Sequence, residues 1–187
     1  SPSRGLGDVY KRQPVDRAAG AASIVEATKW LRSGGFVGIF PESTISRSFE
    51  LAEFKTGAAR IAHEAGVPMI PTVIWGSQRL LTKGLKKNLG RSHTPIIVSY
   101  GEPVTATGDP ERDTQRVKDA MQELLDANRD EYEDRFGPFA DGQAWMPASR
   151  GGSAPTLEEA NEILAREREE KRKRKEAKQE KQAKGGS

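Results

Sequence analysis

The chain has 187 residues, 35% of them hydrophobic, with no cysteine and two histidines. That is enough for one domain with a core. No apolar run approaches the ~20 residues of a membrane span, disulfides and thiolate metal sites are excluded, and a reducing compartment is the default. The net charge of +3 is uneven: between Arg166 and Lys184 ten Lys/Arg face five Glu, residues 1–13 are also basic, and the body from Pro14 to Ala165 is net acidic, which is not the footprint of a nucleic-acid-binding domain.

Ser3–Gln13 (SRGLGDVYKRQ) is the residue-for-residue translation of a DNA string resembling a transposase sequencing adapter. Residues 1–13 are therefore read as a non-native leader and set aside, with native sequence expected from Pro14. Gly20–Ser33 has helical spacing at Ile24, Ala27 and Leu31, and Gly34-Gly35 ends it. Phe36–Phe40 (FVGIF) has the composition of a short strand. Pro41–Phe54 is a polar loop. A second helix is expected from about Lys55 to Ala65, with Ala58, Ile61, Ala62 and Ala65 on its buried face and Gly66 as its cap.

Met69–Trp75 and Pro95–Tyr100 read as further strands. Asp109-Pro110 is an N-cap followed by proline at the first helical position. The helix it opens is expected to reach about Arg135, with Val117, Met121, Leu124 and Leu125 on one face. Gly137–Pro155 reads as an ordered surface segment. Thr156 and Glu159 form a potential capping box, and the helix after them loses its apolar stripe beyond Leu164. Alternating strands and helices imply an α/β fold, a layered and largely parallel sheet with flanking helices, plus a charged C-terminal helix. The expected division is leader 1–13, domain 14–136, Gly/Pro-rich segment and helix start 137–165, and charged tail 166–187.

A short strand, a polar loop and then a helix place a binding loop at the carboxyl edge of a sheet. FPESTISRS (Phe40–Ser48) supplies one carboxylate, Glu42, the hydroxyls of Ser43, Thr44, Ser46 and Ser48, and the guanidinium of Arg47. Such a loop before a helix N-terminus suits an anion, which Arg47 can grip with two parallel hydrogen bonds and Lys55 can support. The same residue types also suit a polar surface loop with helix caps.

FPESTISRS followed by FKTGAARIAHEAGVPMIP (Phe54–Pro71) resembles the phospholipid/glycerol acyltransferases, in particular the 1-acylglycerol-3-phosphate type. Their motifs F-P-E-G-T-R-S, F-K-x-G-A and V-P-x-x-P recur here in order and spacing. The resemblance covers about Val15–Val104, and WGSQRLLTKG and SAPTLEEA look like actinobacterial members. It implies a glycerol-3-phosphate-acyltransferase-like fold. It also implies transfer of a fatty acyl group from acyl-CoA or acyl carrier protein to lysophosphatidic acid, in phospholipid biosynthesis, with no cofactor.

By the resemblance, Arg17 is a candidate phosphate ligand, Glu42 shapes the acceptor site, and Val67-Pro68 and Ile70-Pro71 form a strand edge or an acyl-chain contact. Ser43 stands where the motif has glycine and Ile45 where it has arginine. The phosphate role therefore moves to Arg47, and acceptors other than lysophosphatidic acid come into play. The substrate-binding set is Arg17, Glu42, Ser43, Thr44, Arg47 and Lys55.

The family's H-x4-D base is missing: five residues after His63 stands Pro68, and five after His93 stands Val98. Both histidines read as surface residues, the base is expected upstream of Pro14, and this chain is expected to be inactive alone. A non-catalytic anion- or lipid-binding module is the alternative. The tail reads as a solvated helical extension or as an attachment to anionic head groups. The expected partners are a lysophospholipid, an acyl donor and the cytoplasmic face of the membrane, peripherally, with no specific nucleic acid.

Overall fold

The computed structural model describes residues 20–184. Six elements organise it: α1 (Gly20–Arg32), α2 (Gly57–Ala65), β1 (Thr72–Trp75), β2 (Ile97–Tyr100), α3 (Pro110–Phe136) and α4 (Leu157–Lys184). α1 packs on α2, while α2 and both strands pack on α3.

The sheet differs from the parallel one expected. β1 and β2 are antiparallel, pairing Thr72 with Tyr100, Val73 with Ser99, Ile74 with Val98 and Trp75 with Ile97. A Met69–Val104 bridge extends the pairing. The physical reason lies in the connection. Residues 76–96 contain only a single 3-10 turn, Ser77–Arg79, and no crossover helix, so β2 returns beside β1 instead of restarting parallel to it. Phe36–Phe40 precedes α2 and is where a parallel crossover was expected. It pairs with no strand among the described residues, and a strand without a neighbour has no partners for its N–H and C=O groups. Phe36 and Phe40 are accordingly exposed.

One sheet face carries Val73 and Trp75 onto Leu125 and Tyr132 of α3, and these four are the core. The other face leaves Ile74, Val98 and Tyr100 exposed. α2 buries Ala59, Ile61 and Ala62, one position off the stripe expected at Ala58. Gly66 ends α2 at φ 70°, a left-handed conformation that glycine adopts without steric cost, and its N–H reaches the Ala62 and His63 carbonyls.

The expected apolar face of α3 is present, but polar groups share it: Asp113, Asn128 and Arg129 are buried. Ser99 Oγ donates to Asn128 Oδ1 at 2.5 Å, joining β2 to the helix. Asp109 caps α3 by accepting from the Arg112 N–H at 3.0 Å. One turn on, Asp113 accepts from Thr107 N–H (2.6 Å), Thr107 Oγ1 (3.0 Å), Gly108 N–H (3.3 Å) and Arg116 Nη1 (3.3 Å).

Burial alone would raise the Asp113 carboxyl, but these four donors outweigh it and hold its pKa below the ordinary 3.8. A carboxyl whose folded pKa is depressed adds stability above its unfolded pKa and loses it as pH falls through the folded value. Urea midpoints should therefore fall more steeply below about pH 3.8 in the wild type than in Asp113→Asn. Parallel acid limbs in the two proteins would contradict this assignment.

Residues 137–155 are more than surface. Met146, Pro147 and Ala154 are buried, and the Phe139 and Trp145 rings meet Tyr132 at centroid distances of 5.7 and 6.2 Å. The Thr156 capping box is formed, with Glu159 Oε2 accepting from the Thr156 N–H at 2.8 Å and Thr156 Oγ1 from the Glu159 N–H at 3.3 Å. Beyond Leu164, only Glu167 is half-buried among the described side chains of α4, and the helix is laced by i,i+4 pairs such as Glu169–Lys173.

Candidate acceptor site

The FPESTISRS loop is closed by its own backbone. The Lys55 N–H donates to the Pro41 carbonyl at 3.0 Å, joining the loop's ends, and the Ala52 N–H donates to Glu42 Oε2 at 3.0 Å. Ser46 Oγ reaches the Glu50 carbonyl at 3.0 Å, and the buried Ser48 Oγ accepts from the Glu50 N–H at 3.2 Å. Arg129 of α3 anchors the far side, its Nη2 donating to the Phe49 carbonyl (2.7 Å) and to Glu50 Oε2 (2.8 Å).

Two non-glycine residues in the loop sit at positive φ, Ser43 at 54° and Phe49 at 60°. Ser43 stands where the motif has glycine, and the backbone gives the reason: the position is left-handed, where a Cβ costs roughly 1–2 kcal/mol. Ser43→Gly should therefore raise stability by about 0.5–1 kcal/mol, after the extra entropy of an unfolded glycine is deducted. An unchanged or lower denaturation midpoint would contradict a strained Ser43.

The loop separates two spaces. On one side lies an apolar cavity of about 700 Å³, lined by Phe40, Phe54, Met69 and Val73 with Glu42 and Lys55 among the lining groups. Burial pushes the Glu42 carboxyl up from its ordinary value, against the Ala52 N–H and the Lys118 charge, which pull it down. Val67, Pro68 and Ile70 of the V-P-x-x-P motif line this cavity as well. On the other side is a narrow cleft walled by Thr44, Arg47 and Lys83 and by Leu157, Ala160, Asn161 and Leu164 of α4. Ile45 and Ser46 face both spaces.

The structure thus divides the set expected from sequence. Glu42 and Lys55 belong to the cavity, Thr44 and Arg47 to the cleft, and Ser43 lines neither. Lys55 is exposed, and Arg17 lies outside the described residues. His63 and His93 are exposed.

Two site residues escaped the sequence reading. Lys83 stands in the cleft, and Glu167 of α4 pairs with both cations: Arg47 Nη2 lies 2.5 Å from its Oε1, and Lys83 Nζ contacts its Oε2. Hydrogen bonds from Lys83 and then Arg47 hold the Glu167 carboxyl below its ordinary range. A signal for Glu167 existed, since 160, 164 and 167 follow the i, i+4, i+7 spacing of one helix face. Among the described residues no His/Cys/Asp/Glu cluster could hold a metal, and no helix is long and apolar enough to cross a membrane.

Comparison with known proteins supplies the context. The Acyltransferase family model matches residues 5–75, beginning within the stretch that resembles an adapter and ending with β1. A 1-acyl-sn-glycerol-3-phosphate acyltransferase of Bacillus subtilis (strain 168) is 32% identical over 66% of this chain and 58% of its own length. Proteins of the same name from Escherichia coli (strain K12) and Borreliella burgdorferi are 37% and 31% identical, each over 46% of this chain. The chain spans 30% and 34% of those two relatives. No solved structure matches significantly. The matched segment runs through the closed loop and its motif glutamate, and over that segment the chain is similar to the acyltransferase family.

Proposed function

We propose that this chain carries the acceptor-binding half of a site that transfers a fatty acyl group from acyl-CoA or acyl carrier protein to lysophosphatidic acid. One observation carries the reading: an apolar cavity and a two-cation cleft share a wall, Ile45 and Ser46. An amphiphile with an acyl tail and a phosphate head matches that pair. The cavity rewards each buried methylene by about 0.8 kcal/mol, and Arg47 with Lys83 offers charge-assisted hydrogen bonds to the head. Glu42, between the motif proline and the strained Ser43, shapes the junction.

The names of the relatives point to the same acceptor. Ile45, where the motif has arginine, is the residue that favours another lysolipid. The thioester activates its own acyl group, so the transfer needs no cofactor. The 187 residues hold no H-x4-D, so the chain alone should bind acceptor without turning it over. The exposed basic tail would favour peripheral residence at the anionic cytoplasmic face of the membrane.

Titration with monomeric lysophosphatidic acid tests the assignment. Arg47→Ala should weaken binding by about tenfold or more and leave acyl-donor binding intact. Equal affinity in the two proteins would sink the phosphate role of Arg47.

A further inference from the structure

Glu167 puts one carboxylate oxygen on Arg47 and the other on Lys83. That is how a phosphate monoester would sit between two cations, each taking a different oxygen. The contact is built from both sides. Arg47 passes close to Gly84 (φ 90°), where an added Cβ would lie 2.5 Å from Nη1, so a larger residue would displace the guanidinium. α4 is seated by its capping box and by Leu157, Ala160 and Leu164 in the cleft, which brings 167 over the cations. Past that point the described side chains are exposed, and Glu167 is the last half-buried one among them.

We infer that Arg47 and Lys83 form a phosphate-monoester site held shut by Glu167, and that the C-terminal helix is an internal competitor which an arriving phosphate displaces. The inference rests on the phosphate role proposed for Arg47 and adds Lys83 as a second ligand and α4 as its regulator. A dianion outcompetes a carboxylate at two cations because it carries more charge and more acceptor oxygens. The pairs lie at a part-exposed site, so the barrier to displacement is low enough for a ligand to overcome.

The test is calorimetric titration of the full 187-residue chain with inorganic phosphate, glycerol 3-phosphate and monomeric lysophosphatidic acid. Glu167→Gln keeps the size of the side chain and removes its charge. It should tighten binding by about tenfold, whereas Glu170→Gln, an equal charge change at an exposed α4 position, should not. Adding Lys83→Met to Glu167→Gln should reverse the gain. Equal gains for inorganic phosphate and the lipid would assign the site to free phosphate, and a larger gain for the lipid to its head group. Either supports the shut site.

Unchanged affinity in Glu167→Gln, or the same gain in Glu170→Gln, overturns it. The underlying reading fails separately: if Arg47→Ala in the Glu167→Gln background leaves phosphate affinity unchanged, Arg47 is not a phosphate ligand. If Arg47→Ala abolishes binding while Glu167→Gln gains nothing over wild type, only the helix's role is lost. Hydrogen exchange gives an independent readout. Saturating phosphate should speed exchange of the 161–167 amides in the wild type, and protection that stays constant would contradict displacement.

Discussion

Replacing Tyr132 with alanine should destabilise the protein by about 4 kcal/mol, the largest effect expected of any single substitution. Tyr132 is 1% exposed and closes the core with Val73, Trp75 and Leu125. Its ring meets Phe136 at 5.1 Å, edge on, and stacks with Phe139. Its hydroxyl donates to the Pro95 carbonyl at 3.0 Å and accepts from Arg79 Nη1 at 2.8 Å. One side chain thus ties α3, the segment leading into β2, the turn after β1 and residues 137–155 together.

Tyr132→Phe separates the two contributions. It keeps the ring and strands a carbonyl and a guanidinium N–H, at a cost of about 1–2 kcal/mol. Against a total stability of roughly 5–15 kcal/mol, the alanine variant should lose a large fraction and melt some 10 °C lower. A phenylalanine variant as unstable as the alanine one would mean that the hydroxyl, and not the ring packing, dominates.

Arg129→Met should cost about 3 kcal/mol and loosen the binding loop, through removing a buried guanidinium from its half-buried partner Glu50 and from the Phe49 carbonyl. Arg129 is 4% exposed. It donates to the Phe49 carbonyl and to Glu50, bonds Asp126 at 3.2 Å on its own helix, and lies 5.0 Å from the Trp75 ring. Methionine fills the space but leaves the Phe49 carbonyl without its donor. Phe49 sits at φ 60°, and a bulky residue holds that conformation only where its surroundings impose it. Once Arg129 is gone, Phe49 should relax, and hydrogen exchange at residues 46–50 should rise together with the loss in stability. Lost stability with unchanged loop protection would show that Arg129 supports only the core.

The helices were legible because each carried punctuation in its own sequence: Gly66 after α2, Asp109-Pro110 before α3, Thr156 with Glu159 before α4. Pro41–Phe54 was legible as a loop because it is polar and rich in Ser and Thr, residue types that suit a binding loop and a capped surface loop alike. The sheet's direction was not read correctly, although the signal was present. Alternation suggested parallel strands, yet residues 76–96 contain too little helix for a crossover. Phe36–Phe40 has strand composition, but pairing depends on a neighbour that composition does not reveal.

Asp113, Asn128 and Arg129 were invisible as core residues because burial of a polar group depends on partners distant in sequence, such as Phe49 for Arg129 and Ser99 for Asn128. Glu167 was hidden by its surroundings. In a tail where acidic and basic residues mix freely, only its register with Ala160 and Leu164 distinguishes it. Ser43 was noticed as a departure from the motif, and its positive φ supplies the meaning.

The central claim is that the loop from Glu42 to Arg47, beside its apolar cavity, binds a phosphate-headed amphiphile. Residue-resolved amide NMR during a titration with monomeric lysophosphatidic acid tests it most directly. Shifts should concentrate at Glu42–Arg47, Lys83 and the cavity wall around Phe54 and Val73, and those at Thr44–Arg47 should collapse in Arg47→Ala. Shifts confined to the basic residues of α4, or a loop response that Arg47→Ala leaves intact, would contradict the account.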